Sequence, residues 1–211
     1  MVSQDCILFD LDGTLLDTTE LIETSFEYTF SVVKGISVPW DQLYQFWGRP
    51  LLEQMRLFAD DEQQALKMVE VYREHNHAHH DALAKVTPGA LATLKALKKA
   101  GKSIGVVTSK NTDSAWRGLR LFELDGYVET LVGADQTAAH KPEPEPVFLA
   151  LERLQYSPER ALMIGDSPYD IEAGLRAGTA TAGLNWTIFP SESFRGREPH
   201  LWLDQLTDLI K

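Results

Sequence analysis

Two acidic residues near the N-terminus are the side chains of this sequence best placed to do chemistry. Asp10 and Asp12 follow the apolar residues 6–9, a run that is typical of a buried β-strand. Open α/β sheets bind ligands beyond the carboxyl ends of their strands, so both carboxylates are expected to face such a crevice. Asp10 is suited to act as a nucleophile and Asp12 as a proton donor, and Gly13 permits a tight turn after them.

Three further motifs follow in order along the chain. The first is an apolar run, residues 104–107, followed by Thr108 and Ser109. The second is Lys141 between His140 and Pro142. The third is a strand-like run, residues 162–165, followed by the acidic pair Asp166 and Asp170. Together with the first motif they resemble the haloacid dehalogenase superfamily, and the chain is most similar to its phosphatase branch. The resemblance extends over the whole chain.

The resemblance implies a catalytic or binding role for each motif. Asp10 is expected to form an aspartyl-phosphate, while Asp12 protonates the leaving group and then activates the hydrolytic water. Thr108 and Ser109 are expected to bind the phosphoryl group, and Lys141 to balance its charge. Dehalogenating members lack the second acid because a halide needs no proton, so Asp12 favours a phosphatase.

The resemblance also implies a divalent cation, Mg²⁺. Its expected ligands are a carboxylate oxygen of Asp10, the backbone carbonyl of Asp12 and the carboxylate of Asp166. Asp170 follows four positions after Asp166 and is expected beside the same ion, through water or through another ligand. The alternative for Asp170 is a structural role as the N-cap of a helix over residues 171–177.

The stretch after the first motif predicts an inserted domain. Apolar residues recur there at helical spacing. We therefore expect a helical cap domain over residues 15–85, inserted into a core of residues 1–14 and 86–211.

Local signals predict where the cap helices begin and end. Asp17, with Glu20 three positions later, is expected to cap the first helix, and Gly35 to end it. The long last helix is expected to begin near Asp60 or Asp61.

From Pro88 onward, helical and strand patterns alternate. This alternation predicts a parallel sheet with crossover helices, so the fold class is α/β with a Rossmann-like core. The last strand is expected near residues 181–186, followed by a loop and a C-terminal helix from Asp204.

One loop of the cap carries a candidate substrate-binding arginine. Arg49 lies between Gly48 and Pro50, at a position where helical caps close over the substrate. Its guanidinium group is suited to bind the distal anionic end of a phosphorylated molecule. An exposed structural arginine is the alternative.

Four histidines crowd the end of the long cap helix. His75 and His79 are spaced to share one helical face, as zinc ligands are, but no cysteine or third ligand is evident nearby. A solvated or interdomain helix end is the favoured interpretation of this segment, which also includes His77 and His80.

The composition narrows the range of partners. A net charge of −11 disfavours nucleic acid but permits a small phosphorylated substrate. No apolar run approaches the ~20 residues of a membrane span, and no secretory signal is recognised. Cys6, the single cysteine, fits a reducing cytoplasm. A monomer and a dimer are both compatible with the sequence.

These observations predict a cytoplasmic, Mg²⁺-dependent phosphohydrolase similar to the phosphoglycolate phosphatase and inorganic pyrophosphatase group. Residues 76–81 and 183–187 resemble the pyrophosphatases and favour pyrophosphate as the substrate. Phosphoglycolate or another small phosphomonoester is the first alternative, and a phosphoglucomutase-type phosphotransferase shares all four motifs. A non-catalytic phosphate-binding regulator would be expected to have lost one of the motif acids or the lysine.

Overall fold

A six-stranded parallel sheet forms the centre of the fold. The computed structural model describes residues 2–211, apart from the side chains of residues 41 and 45. The strands, numbered along the chain, are β1 (Cys6–Phe9), β2 (Leu16–Asp17), β3 (Lys85–Val86), β4 (Ser103–Val107), β5 (Thr130–Val132), β6 (Ala161–Gly165), β7 (Ala180–Leu184) and β8 (Leu201–Leu203). The large sheet has the order β5-β4-β1-β6-β7-β8, and β2 pairs with β3 in a separate antiparallel ribbon.

Helices cover both faces of this sheet. The α-helices are α1 (Thr19–Lys34), α2 (Trp40–Leu43), α3 (Leu51–Arg56), α4 (Glu62–Leu83), α5 (Ala90–Lys99), α6 (Thr112–Leu121), α7 (Glu145–Leu154) and α8 (Pro168–Ala177). Residues of α5 and α6 pack with Ile7 and Phe9 in one apolar cluster. Residues of α7 and α8 pack with Cys6 and Leu8 in another. Successive residues of β1 thus face opposite helical layers, which is why the strand is apolar throughout.

Cys6 is a structural residue of this buried strand. Its side chain is fully buried, and burial raises the pKa of its thiol to about 12. The thiol is therefore protonated at neutral pH and unreactive.

The inserted helices have an apolar cluster of their own. Phe26 and Phe30 of α1 pack there against Met55 of α3 and against Met68 and Tyr72 of α4. We propose residues 15–85 as the cap domain. The ribbon of β2 and β3 joins it to the sheet, and Leu15 and Leu16 at its start pack into the apolar core of the sheet.

The predicted helix ends are confirmed in part. Gly35 ends α1 in the left-handed conformation, and the Asp61 carboxylate caps α4 by accepting a hydrogen bond from Gln64 N at 2.8 Å. The predicted capping by Asp17 is confirmed only in part: Thr18 holds the N-cap position of α1, but Asp17 Oδ1 accepts a hydrogen bond from the first helical amide, Thr19 N, at 3.2 Å. The hydroxyl of Thr18 does not cap the helix but donates to Asp12.

The C-terminal segment also differs from the prediction. The last predicted strand is β7, which ends at Leu184, before Trp186. The predicted loop contains a further edge strand, β8, paired with β7. The chain then ends in a 3₁₀ helix over Leu206–Ile210 rather than in an α-helix from Asp204. No helix in residues 2–211 has the length and apolar character that crossing a bilayer requires.

Candidate active site

The predicted site residues meet at the carboxyl edge of the sheet. Asp10 follows β1, Thr108 follows β4 and Asp166 follows β6, and β1 lies between β4 and β6. This is the switch point of the strand order, where open α/β sheets bind ligands. The structure thus brings together side chains that the sequence pattern predicts at one edge.

Gly13 allows the loop after β1, which carries Asp10 and Asp12, to approach Asp166 after β6. Its φ is +83°, and a Cβ there would lie 2.5 Å from Asp166 Oδ2. Any side chain would clash with this carboxylate, so the close approach requires glycine at this position.

Lys141 joins two of the acids. Its Nζ donates hydrogen bonds to Asp10 Oδ1 at 2.7 Å, Asp170 Oδ1 at 2.5 Å and the carbonyl oxygen of Val107 at 3.0 Å. Its side chain is only 3% exposed. Burial lowers the pKa of Lys141, but Asp10 and Asp170 outweigh that effect and raise it above its ordinary value. The ammonium group is therefore a fixed positive charge beside Asp10.

Asp170 has a structural partner as well. Its Oδ2 accepts hydrogen bonds from Ser167 N at 3.0 Å and from Ser167 Oγ at 2.6 Å. Ser167 is the N-cap of α8, and Asp170 is the third residue of that helix. The alternative that Asp170 itself is the N-cap is therefore wrong. Both carboxylate oxygens of Asp170 thus have protein partners.

Three buried carboxylates carry more negative charge than the lysine neutralises. Oxygens of Asp10, Asp166 and Asp170 lie within 4.8 Å of one another, and Asp166 Oδ1 is buried without a hydrogen-bond partner among the described residues. Burial, partly offset by Lys141, raises the pKa of Asp10 to about 7. Burial and the neighbouring Asp170 raise the pKa of Asp166 well above its ordinary value. An all-oxygen set with an unsatisfied carboxylate fits a hard divalent cation.

Asp12 is held by two residues that the sequence did not single out. Its Oδ1 accepts hydrogen bonds from Thr18 Oγ1 at 2.7 Å and from Lys110 Nζ at 2.8 Å, and Lys110 Nζ also lies 3.2 Å from Oδ2. The sequence feature that could have identified Lys110 is its position: it directly follows Thr108 and Ser109, at the end of a strand that neighbours β1.

The two predicted phosphoryl-binding hydroxyls differ in their surroundings. Thr108 is buried, and its Oγ1 accepts a hydrogen bond from Lys110 N at 3.1 Å. Ser109 Oγ donates to the carbonyl oxygen of Gly48 at 2.5 Å. The Ser109 hydroxyl therefore joins the core to the cap loop.

Arg49 is half-buried at the same edge rather than exposed. Its Nε donates to Tyr169 Oη at 2.9 Å. Its guanidinium carbon lies 5.8 Å from the ring centre of Phe46 and 5.4 Å from that of Tyr169. Arg49 lines a cavity of about 920 Å³ that also contains Asp10 and Asp12, which is spacious for a small phosphorylated molecule.

The histidines do not form a metal centre in the part of the chain that the structure describes, where the acidic cluster around Asp10 is the one group with suitable geometry. His75 and His79 stack with ring centres 4.1 Å apart. His80 is buried beside Gly118 of α6 and bonds Asp81, which pairs with Arg117 of the same helix. This end of α4 therefore joins the cap to the core, in agreement with the interdomain interpretation.

Comparison of the chain with models of known protein families finds a match to one family. The family model described as haloacid dehalogenase-like hydrolase matches residues 7–184, which include the acidic motifs and Lys141. The chain belongs to this family. Membership of the haloacid dehalogenase-like hydrolases, predicted from the four motifs, is thereby confirmed together with the parallel α/β core.

Curated relatives narrow the activity of this haloacid dehalogenase-like hydrolase to that of a phosphatase. It is 40% identical over 204 residues to pyrophosphatase PpaX of Anoxybacillus flavithermus, and 39% identical over 204 residues to pyrophosphatase PpaX of Bacillus velezensis. Each alignment covers 97% of this chain and 94% of the relative.

Solved structures share the fold. A predicted phosphatase from Clostridium acetobutylicum superposes with a TM-score of 0.86 at 29% identity, covering 98% of this chain and 96% of the other. A predicted phosphoglycolate phosphatase from Haemophilus somnus 129pt gives a TM-score of 0.90 at 23% identity, covering 100% and 98%. The second similarity is one of fold alone.

Proposed function

We propose that this phosphatase hydrolyses inorganic pyrophosphate through an aspartyl-phosphate on Asp10, with Mg²⁺ as cofactor. The observation that carries the proposal is the 40% identity, over nearly the full length of both chains, to an enzyme named a pyrophosphatase. The resemblance of residues 76–81 and 183–187 to pyrophosphatases supports the same substrate. We further propose a cytoplasmic location, which the single buried cysteine supports.

Asp10 and Asp12 supply the two halves of such a reaction. A carboxylate oxygen of Asp10 attacks one phosphorus atom, and the bond between that phosphorus and the bridging oxygen breaks to release phosphate. Water then attacks the phosphorus of the aspartyl-phosphate while Asp12 accepts a proton from that water, and the bond between the phosphorus and the Asp10 oxygen breaks to release phosphate and restore the Asp10 carboxylate. Lys141, 2.7 Å from Asp10 Oδ1, fixes the nucleophile and balances the added phosphoryl charge.

The proposed Mg²⁺ ligands are carboxylate oxygens of Asp10 and Asp166 and the backbone carbonyl of Asp12. The ion supplies positive charge that lets an anionic nucleophile approach an anionic phosphoryl group. Asp170, which bonds Lys141 and Ser167, orients the lysine beside this cluster.

Metal binding is expected to appear as a pH-dependent change in thermal stability. The raised pKa values of Asp10 and Asp166 mean that the folded protein binds these protons more tightly than the unfolded chain does. The free energy of unfolding of the chelator-treated protein should therefore fall as pH rises from about 4 to 7. Mg²⁺ should raise Tm more at pH 8 than at pH 5, because the carboxylates are then ionised.

Differential scanning fluorimetry across this pH range, with and without Mg²⁺, measures both effects. Asp166→Asn should lose most of the Mg²⁺-dependent rise in Tm, whereas Asp113→Asn, at an exposed position of α6, should retain it. A wild-type Tm that is insensitive to Mg²⁺ at pH 8 would contradict the proposed site.

Phosphoglycolate phosphatase is the second candidate function. A solved structure of that name has the same fold, and Arg49 suits a distal carboxylate as well as a distal phosphate. A phosphotransferase would share the core motifs but return phosphate to a sugar. A non-catalytic regulator is disfavoured, because Asp10, Asp12 and Lys141 are all present.

A substrate panel separates these candidates. We expect kcat/KM for pyrophosphate to exceed that for phosphoglycolate and for sugar phosphates, measured as phosphate release under identical Mg²⁺. A tenfold preference for phosphoglycolate, equal to about 1.4 kcal/mol in transition-state stabilisation, would reverse the assignment. Transfer of phosphate to a sugar without its release would instead identify a transferase.

A further inference from the structure

The cap loop that carries Arg49 is docked on the loops of the core that carry the catalytic groups. Ser109 Oγ donates to Gly48 O at 2.5 Å. Gly48 has a φ of +90°, and a Cβ there would lie 3.0 Å from Tyr169 Cδ2 and 3.1 Å from Ser167 Oγ. Glycine thus lets the cap loop lie directly against the loops after β4 and β6, so the position of Arg49 depends on the core.

Tyr169 fixes the guanidinium group of Arg49. Its hydroxyl oxygen accepts the hydrogen bond from Arg49 Nε at 2.9 Å. The rings of Tyr169 and Phe46 both lie within cation–π distance of the guanidinium carbon. Only one of the five N–H donors of Arg49 is used in this way.

The terminal nitrogens of Arg49 are available to a ligand in the cavity. Among the described residues, no side chain or carbonyl accepts a hydrogen bond from Nη1 or Nη2, and no carboxylate forms an ion pair with Arg49. Arg49 lines the cavity that contains Asp10 and Asp12. A guanidinium held by Nε presents its two terminal nitrogens as a fork that suits a planar or tetrahedral oxyanion.

We propose that Tyr169 is a positioning residue for substrate selection: it orients Arg49 so that the terminal nitrogens bind a second anionic group on the substrate. For pyrophosphate that group is the leaving phosphate, and in this choice of ligand the inference rests on the proposed function. Tyr169 is the second residue of α8, which begins just after Asp166, so one segment of the core holds both an acid of the catalytic cluster and the orienting group for the cap arginine.

Kinetics of Tyr169→Phe test the proposal, because this change removes the hydroxyl acceptor and keeps the ring. KM for pyrophosphate should rise about tenfold, the effect of losing one hydrogen bond made by a charged group. kcat should change by no more than about twofold, as expected when binding rather than chemistry is weakened. Phosphoglycolate, which also has a second anion, should respond in the same direction, whereas para-nitrophenyl phosphate, which has none, should not respond.

A double-mutant cycle shows whether Tyr169 acts through Arg49. In an Arg49→Met background, Tyr169→Phe should have no further effect on pyrophosphate hydrolysis. Tyr156→Phe is the matched control, since Tyr156 also lies against an arginine, with Arg160 5.1 Å from its ring centre, but outside the cavity. Its kinetics should equal those of the wild type.

Three results would overturn the inference: additive effects of the two substitutions, equal loss on para-nitrophenyl phosphate, or unchanged kinetics of Tyr169→Phe on both substrates that carry a second anion. The pyrophosphatase assignment has a separate outcome. If phosphoglycolate is the better substrate while Tyr169 and Arg49 remain coupled, that assignment fails and the role of Tyr169 stands.

Discussion

Replacing Asp10 with asparagine is expected to abolish turnover while leaving the fold intact. The amide cannot form the aspartyl-phosphate, so kcat should fall on the order of 10⁵-fold or more, as it does when a nucleophile is removed from other hydrolases. The fold should persist because Lys141 keeps its hydrogen bonds to Asp170 and to the carbonyl of Val107. Burial disfavours the Asp10 carboxylate, whose pKa is raised to about 7, so an uncharged amide is tolerated there.

Phosphate release, circular dichroism and Tm together measure this outcome. Asp113→Asn makes the same chemical change at an exposed position and should retain full activity. Mass spectrometry must show that the introduced asparagine has not deamidated back to aspartate. Turnover near the wild-type rate in such a verified preparation would remove Asp10 from the role of nucleophile.

The convergence of Asp10, Thr108 and Asp166 was predictable because it depends on local patterns. Each residue follows a short apolar run, and runs of that kind separated by helices form parallel strands whose carboxyl ends share one edge. The three side chains could therefore be placed together without any information on long-range contacts.

The partners of Asp12 were not predictable in the same way. Lys110 is 98 residues away from Asp12 in the sequence, and only its position directly after Thr108 and Ser109 distinguishes it from a solvated lysine. Thr18 shows how a tertiary contact modifies a local pattern. The N-cap position falls on Thr18 rather than on its neighbour Asp17, and the Thr18 hydroxyl donates to Asp12, so the helix amide of Thr19 is bonded by Asp17 instead.

Short elements were missed for a related reason. Strand β8 has three residues, Leu201–Leu203, which are too few to show the period that identifies a strand. Its pairing with β7 comes from tertiary packing. Likewise, Arg49 was recognisable as a candidate, but its docking against Tyr169 depends on how the cap loop lies on the core.

Replacing Lys141 with methionine is expected to remove both catalysis and a large part of the stability. The ammonium group makes ion pairs with Asp10 and Asp170, and all three side chains are nearly inaccessible to solvent. Removing one partner of a buried ion pair costs about 3–5 kcal/mol in the free energy of unfolding. Loss of a fixed charge beside the reacting phosphoryl group should lower kcat on the order of 10²–10³-fold.

The two effects of Lys141→Met can be separated by a second substitution and by pH. Adding Asp170→Asn removes one of the two carboxylates that would otherwise face each other, so it should restore much of the stability but none of the activity. Lower pH should also restore stability, because protonation of Asp10, with its raised pKa, relieves the same repulsion.

Lys98→Met is the matched control. The ion pair of Lys98 with Glu129 is partly exposed, at 35% and 39%, so the loss in the free energy of unfolding should not exceed about 1 kcal/mol. Urea unfolding and phosphate release on the four proteins measure these quantities. If Lys141→Met is as stable and active as Lys98→Met, the buried lysine neither holds the acids together nor stabilises the transferred phosphoryl group.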